Sequence, residues 1–353
     1  MKLNDQPHLP RQPRPICIIG AGGIVKDAHL PAYNLAAFPV FGITDQQPDR
    51  AAALAKLCGA RAFPDLAAMI AAAPDGCVYD LAVPAKFFPT VLEQLPEGTA
   101  VLMQKPMGET LGEAREILAI CHRKKLVAAV NLQLRFAPFV LMVRDALARG
   151  LIGDIRDFEV RLTVETPWHL WDFLKSVPAA EMIYHSVHYV DLIRSLLGNP
   201  KGVHAFGLPS ELAPGMDMAR SWIALNYGPQ QRVNIATNHA HRFGTSHQES
   251  FLKLEGTHGA IKIRLGLLMD YPRGLPDSFE ICIREDGQAP VWRELPIRGS
   301  WFPHAFIGTM GTLMRHLDDP QEPLPHSVED IIGTMRVVDA AIRSSASGGT
   351  GLS

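Results

Sequence analysis

Cysteine is scarce and scattered in this chain. The five cysteines, Cys17, Cys58, Cys77, Cys121 and Cys282, are odd in number and show no CxxC spacing. A disulfide framework is therefore not expected. Cys17, Cys77 and Cys282 fall in apolar strand-like runs, which points to buried, reduced thiols and a cytoplasmic setting. Long apolar runs are also missing. No stretch reaches the roughly 18 residues of a membrane span, so no membrane partner is expected. Residues 1–14 are polar and Pro-rich with no apolar core; they read as a flexible tail, not a signal peptide. A net charge of −2, without blocks of one sign, gives no field for nucleic acid.

What is present is a chain for a sizeable core. Hydrophobic residues make up 47% and charged residues 20% of 353 positions. At roughly 100–200 residues per domain, two domains are the default. From Pro15 to Asn131, short apolar runs alternate with helical patterns. Strands are expected at Pro15–Gly20, Val40–Asp45, Cys77–Val83, Thr99–Gln104 and Leu126–Asn131. Helices are expected at Gly22–Ala37, Pro48–Cys58, Asp65–Ala73 and Phe88–Leu95, and from Thr110, where Thr110 and Glu113 form a capping box. This alternation predicts an α/β Rossmann-type, doubly wound parallel sheet over residues 15–131.

After Asn131 the rhythm changes. Helices are expected at Phe139–Arg149 and Met182–Leu197, with a closing helix after Ser327. Strand-like runs follow one another at 155–164, 202–207, 221–227, 232–239, 249–255, 259–265 and 278–284. Few helices separate them. Residues 132–353 thus read as an α+β second domain with a large, mostly antiparallel sheet.

Two places carry chemistry. Gly20-Ala21-Gly22-Gly23-Ile24-Val25 follows a strand and opens a helix, the context of a dinucleotide fingerprint. Gly20 permits the tight turn, and Gly22 lets backbone approach a pyrophosphate at the helix N-terminus. Gly23 and Ile24 complete the turn, while Val25 stands where the motif has its third glycine. Asp45 ends the second strand about twenty residues later, where a ribose-binding carboxylate belongs. It would repel a 2′-phosphate, so NAD is favoured over NADP, although Arg50 nearby could accept that phosphate. Later strands end at Val83 and Pro84, at Gln104 and Lys105, and at Asn131. Ligands sit at the C-terminal edge of such sheets, so these residues join the cofactor site.

Six segments occur in a familiar order. They are Gly20–Val25, His29-Leu30-Pro31-Ala32, Gln104-Lys105-Pro106, Arg135-Phe136-Ala137-Pro138, His188-Tyr189-Val190-Asp191 and Glu255-Gly256-Thr257-His258-Gly259-Ala260. The chain resembles the glucose–fructose oxidoreductase / inositol 2-dehydrogenase (Gfo/Idh/MocA) family over nearly its whole length after Arg14. The resemblance implies hydride transfer between a nicotinamide and a secondary alcohol of a sugar, polyol or derivative. It implies that Lys105 lies beside the nicotinamide and hydrogen-bonds the reacting hydroxyl. The family's Glu-Lys-Pro motif has Gln104 in place of the glutamate.

The resemblance also implies a catalytic His188, preceded by four residues by an Asp whose place Tyr184 holds. A phenol with an unperturbed pKa of about 10 is a poor base, and the adjacent His185 is the alternative. His185 and His188 are spaced like metal ligands, but no third ligand follows and no metal is expected.

The cluster Trp168-His169-Leu170-Trp171-Asp172-Phe173 offers aromatic faces for a sugar, or core packing. Arg135 either binds an acidic substrate group or braces the interface between the two domains. His239, His241, Arg242 and His247 form a further polar cluster. A homodimer or homotetramer built on the second sheet is implied by the resemblance. The alternatives are a glycosidase-like enzyme using NAD transiently and a non-catalytic cofactor-binding sensor.

Overall fold

The computed structural model describes residues 1–349; residues 350–353, the end of the expected second domain, lie outside the described residues. The chain forms two compact units. One comprises Pro7–Ala137 with Phe302–Met335, and the other comprises Met1–Gln6, Pro138–Trp301 and the segment from Arg336.

The first unit is built on a six-stranded sheet. Its strands are β1 (Ile16–Ile19), β2 (Val40–Thr44), β3 (Arg61–Phe63), β4 (Val78–Leu81), β5 (Ala100–Gln104) and β6 (Val127–Asn131). The order is β3-β2-β1-β4-β5-β6, and every pairing is parallel. β1, β4 and β5 are buried along their whole length, and apart from Asp80 in β4 and Gln104 at the end of β5 they are built of apolar and aromatic residues. Helices α1 (Leu30–Leu35), α2 (Pro48–Cys58), α3 (Leu66–Ala72), α4 (Phe88–Gln94) and α5 (Leu111–Arg123) connect the strands. Asp65 caps α3 by accepting from Ala68 N at 2.7 Å, and Thr110 caps α5 by accepting from Glu113 N at 3.1 Å. The return bond of the α5 box goes to Glu109 N, one residue before the cap.

The expected helix 22–37 is interrupted. Val25–His29 forms a wide π-type turn, and α1 begins only at Leu30. Pro31 has no N–H and its ring crowds the carbonyl four residues back, so a regular α-turn is disfavoured there.

The second unit carries α6 (Pro138–Ala148), β7 (Ile155–Thr163), a π-type turn at Glu181–Ser186 and α7 (Val187–Leu197). Then come β8 (Gly202–Leu208), β9 (Arg220–Asn226), β10 (Arg232–Asn238), β11 (Glu249–Gly256), β12 (Gly259–Arg264), β13 (Ser278–Ile283) and β14 (Trp292–Leu295). The eight strands order as β14-β13-β12-β11-β7-β10-β9-β8. All pairings are antiparallel except β10 with β7. α7, β8 and β9 lie between those two in sequence, long enough to return β10 alongside β7 in the same direction.

The linear boundary at residue 131 does not describe the units. Residues 302–335, including α8 (His304–Asp318), join the first unit, and the closing helix α9 (Val328–Ala346) spans the division. Phe306, Met310, Leu313 and Met314 of α8 share one core with Ile16, Ile18, Val78, Leu102 and Ala129. Residues 1–14, expected as a flexible tail, are packed. Leu3, Asp5 and Pro10 are buried, and Asp5 accepts from Arg298 N at 2.8 Å and from its guanidinium. Four of the five free thiols are buried, and Cys58 is exposed.

Candidate active site

The 3-2-1-4-5-6 order reverses direction between β1 and β4, and ligands of such sheets bind at that crevice, beyond the C-terminal strand ends. The Gly-rich turn leaves β1 at this point. Gly20 has φ +106°, and a Cβ there would meet Ala82 O at 2.4 Å, so no other residue fits beside the end of β4. A Cβ on Gly22 would meet nothing within 4 Å. The backbone of the turn is thus bare of side chains at Gly22, at the start of a helical turn, where a phosphate would find N–H groups. Gly23 is exposed and Ile24 half-buried. The geometry fits a dinucleotide cradle.

Asp45 follows β2, and its carboxylate is tied into this turn. It accepts from Ala21 N at 2.7 Å and from Gln47 N at 2.8 Å. Val83 is half-buried and Pro84 exposed, just after β4.

Gln104 closes β5 and is buried, whereas Lys105 is partly exposed. Burial draws the Lys105 ammonium down to about 8 from its ordinary value. Gln104 belongs to a buried polar cluster that sequence reading did not find. Its amide nitrogen is 2.7 Å from His29 Nε2, and its Oε1 accepts from Lys105 N at 3.0 Å. His29 Nδ1 lies 2.6 Å from Asp80 Oδ2, to which the Tyr33 hydroxyl also donates at 2.7 Å. Asn131 approaches His29 Nε2 at 3.5 Å and accepts from Thr309 Oγ1 at 2.9 Å. The His29-Leu30-Pro31 segment was the one available signal.

Arg135 is buried, and its guanidinium donates to Pro325 O and to Asp330 Oδ2, the latter at 2.7 Å. Both of these partners lie in its own unit.

In the second unit the residues around α7 form an aromatic and imidazole cluster. His188 is buried and meets Trp301 edge-on, with centroids 5.7 Å apart. The Tyr184 ring is buried and packs edge-on against Phe173. His185, four residues after Glu181, is half-buried between Trp168 and His239, at 5.1 and 4.5 Å. Trp168 is buried, Trp171 half-buried against Tyr271, and His169 exposed.

The polar cluster expected at 239–247 separates. His241 binds the Gly244 carbonyl, Arg242 reaches Glu165 at 3.5 Å, and His247 is exposed. His239 turns inward instead. Its Nδ1 is 2.8 Å from Thr166 Oγ1 and its Nε2 is 3.5 Å from Glu181 Oε1. Glu181 is fully buried and also accepts from Ser186 Oγ at 2.7 Å. Burial pushes its carboxyl up, but His239, Ser221 and Ser186 together outweigh that and hold it below the ordinary range. Thr166, Trp168, His169 and Tyr271 line a cleft of about 310 Å³ in this unit, with Lys175 and Arg242 on its wall. Among the described residues, no group of three His, Cys, Asp or Glu side chains is arranged to hold a metal ion. No described helix is long and apolar enough to cross a membrane.

Residues 15–132 match a family model described as an oxidoreductase family with an NAD-binding Rossmann fold, and residues 140–262 match the GFO/IDH/MocA C-terminal domain. A 1,5-anhydro-D-fructose reductase of Ensifer adhaerens is 28% identical over 173 residues, 48% of this chain and 51% of that protein. The alignments to the first curated relatives span only 43%, 41% and 30% of those proteins. Among solved structures, a levoglucosan dehydrogenase in complex with NADH and levoglucosan shares the fold. Its TM-score is 0.77 at 18% identity, covering 96% of this chain and 98% of that one. An oxidoreductase from Agrobacterium radiobacter, in complex with NAD+, L-tartaric acid and magnesium, gives the same TM-score, identity and coverage.

Proposed function

Because the chain belongs to the Gfo/Idh/MocA oxidoreductase family, we propose that it is an NAD-dependent dehydrogenase acting on a secondary alcohol of a sugar, polyol or derivative. The observation that carries this reading is Lys105. It stands at the C-terminal end of β5 in a Rossmann-type sheet, and its ammonium is drawn down toward neutrality by burial. A cation so placed stabilises the negative charge that develops on the reacting oxygen. When bound, the nicotinamide supplies the hydride acceptor or donor.

His188 exchanges the hydroxyl proton, with His185, in the turn before α7, as the second imidazole. Tyr184 contributes a hydrogen-bonding phenol where the family has an acid. Gly20, Gly22, Gly23 and Ile24 cradle the pyrophosphate. Val83, Pro84, Gln104 and Asn131 edge the cofactor site, and Asp45 takes the ribose. Its carboxylate at the end of β2 supports NAD over NADP. Trp168, Trp171 and His169 supply aromatic faces and a polar group suited to a carbohydrate, and two of the similar proteins are named for sugar-like compounds.

The test is an absorbance screen at the NADH band over sugars and polyols, with parallel titration of NAD and NADP. Reduction of NAD by one class of substrate supports the reading. Binding without turnover assigns a cofactor-binding sensor, and turnover without net NADH assigns a glycosidase-like enzyme. No binding of either nucleotide overturns the proposal.

One feature of the second unit, and the thiols, extend it. Phe206 and Trp222 stack on the sheet, 45% and 41% exposed, which supports a homodimer or homotetramer through that face. Sedimentation as a monomer would contradict this. The free thiols fit a reducing, cytoplasmic compartment.

A further inference from the structure

We propose that Gln104 is a positioning residue whose amide holds the Lys105 backbone and, at its other end, fixes His29 in one protonation form. On this view the exchange of the family's glutamate for glutamine is compensated by a proton. The argument follows hydrogen-bond polarity. Lys105 N–H only donates, so the atom it meets at 3.0 Å is the carbonyl oxygen of Gln104. The NH₂ end then faces His29 Nε2 at 2.7 Å, and a donor there requires a lone pair on that nitrogen. The single ring proton of His29 is therefore on Nδ1, directed at Asp80 Oδ2 at 2.6 Å. A carboxylate at position 104 would still accept from Lys105 N–H. Toward His29 it offers only lone pairs, and it would call for a second proton on Nε2. Asp80, His29 and residue 104 then carry one negative charge in either version.

Among the described residues, the side chains bonded to or packed on this cluster supply no further charge. Tyr33 on α1 donates to Asp80, and burial followed by Asp80 pushes its phenol well above the ordinary range. Asn131 on β6 and Thr309 on α8 are neutral, and the Phe306 ring covers His29 at 5.1 Å. His326, bonded to Thr309 O at 3.1 Å, is driven down to about 3 by burial and then by Arg135, so it is uncharged at neutral pH. Lys105 is the adjacent cation, joined to the cluster through its backbone.

The experiment is imidazole ¹⁵N NMR on the full chain with labelled histidine, the His29 signal being assigned by its loss in His29→Gln. Wild-type protein near neutral pH should show His29 protonated on Nδ1 alone, and Gln104→Glu should show both nitrogens protonated. A wild-type His29 protonated on Nε2, or a Gln104→Glu protein with Nε2 bare, overturns the proposal. If Gln104→Glu does not fold, the wild-type tautomer decides alone.

The positioning of Lys105 for turnover rests on the proposed function, and Gln104→Leu tests it. It should lower kcat about tenfold, the cost of one unsatisfied buried hydrogen bond, with little change in KM for NAD. Gln104→Glu, which keeps the acceptor for Lys105 N–H, should recover part of that loss. Equal kcat values for the Leu variant and wild type refute the positioning role. A wild-type chain inactive on all substrates refutes the function and leaves the NMR result standing.

Discussion

Among the described residues, each unit holds a buried histidine–carboxylate pair, and the two pairs are built differently. His29 and Asp80 sit 2.6 Å apart, with Tyr33 bonded to the same Asp80 oxygen and Gln104 to the other nitrogen of His29. His239 and Glu181 sit 3.5 Å apart, at the outer limit of a hydrogen bond, and Thr166 links His239 to a 310 Å³ cleft. Among the described residues one oxygen of each carboxylate has no hydrogen-bond partner. The indole N–H of Trp168, which lines the cleft, also has none. A short, enclosed pair holds a backbone in place. A long pair beside a cleft leaves polar capacity for something that enters it.

The largest expected effect tests whether the first unit's cluster serves a catalytic lysine. Lys105→Ala should cut turnover about 10²–10³-fold, as loss of a charge-stabilising group does, while NAD affinity measured by titration stays close to wild type. Wild-type rates in that variant would end the lysine role. On the other unit's side, His188→Ala should lower kcat about 10²-fold or more, the size of a lost general acid–base. An unchanged bell-shaped rate profile would remove His188 from the chemistry.

The comparison itself is sharpened by stability. Asp80→Ala leaves buried partners of a tight pair uncompensated and should cost about 3–5 kcal/mol in denaturant unfolding. Glu181→Gln loosens a longer contact and should cost nearer ~1–2 kcal/mol. Equal losses would show that the 2.6 Å and 3.5 Å pairs are energetically alike.

A pH series gives a smaller effect. Turnover that depends on cationic Lys105 should fall as pH rises through about 8. The same lowered value makes the unfolded chain bind more protons than the folded one between about 8 and 10.5, so the Lys105 contribution to stability rises with pH across that window. The smallest effect on activity is expected at Arg135, held by Pro325 and Asp330: Arg135→Met should lower the melting temperature and leave substrate KM unchanged.

Much of the first unit was legible in the sequence. Helix α2 begins at Pro48 and ends at Cys58 as its composition indicates, and Asp65 and Thr110 make the capping bonds their positions imply. These are local effects, decided within a turn or two of chain. What escaped was short or shielded. β3 and β14 are edge strands of three and four residues. α8 is buried from Ala305 to Met314, and it carries Gly308 and Gly311. A Cβ on Gly308 would meet Phe136 Cβ at 2.5 Å, so that glycine answers to packing and not to helix propensity.

The candidate site divides in the same way. The Gly-rich turn, Asp45, Lys105, His185 and His188 could be named from residue order, because a backbone turn and a strand end announce themselves locally. The ties of Asp45 to Ala21, Gln104 to His29, Arg135 to Asp330 and His239 to Glu181 join positions 24 to 195 residues apart. The sequence by itself determined the alternating elements, the bare glycine turn and the placing of a lysine at a strand end, since periodicity, glycine conformation and strand length are properties of short stretches. Only the tertiary structure decided which buried polar atoms meet. A hydrogen bond in a dry interior depends on donors and acceptors that distant segments bring within about 3 Å.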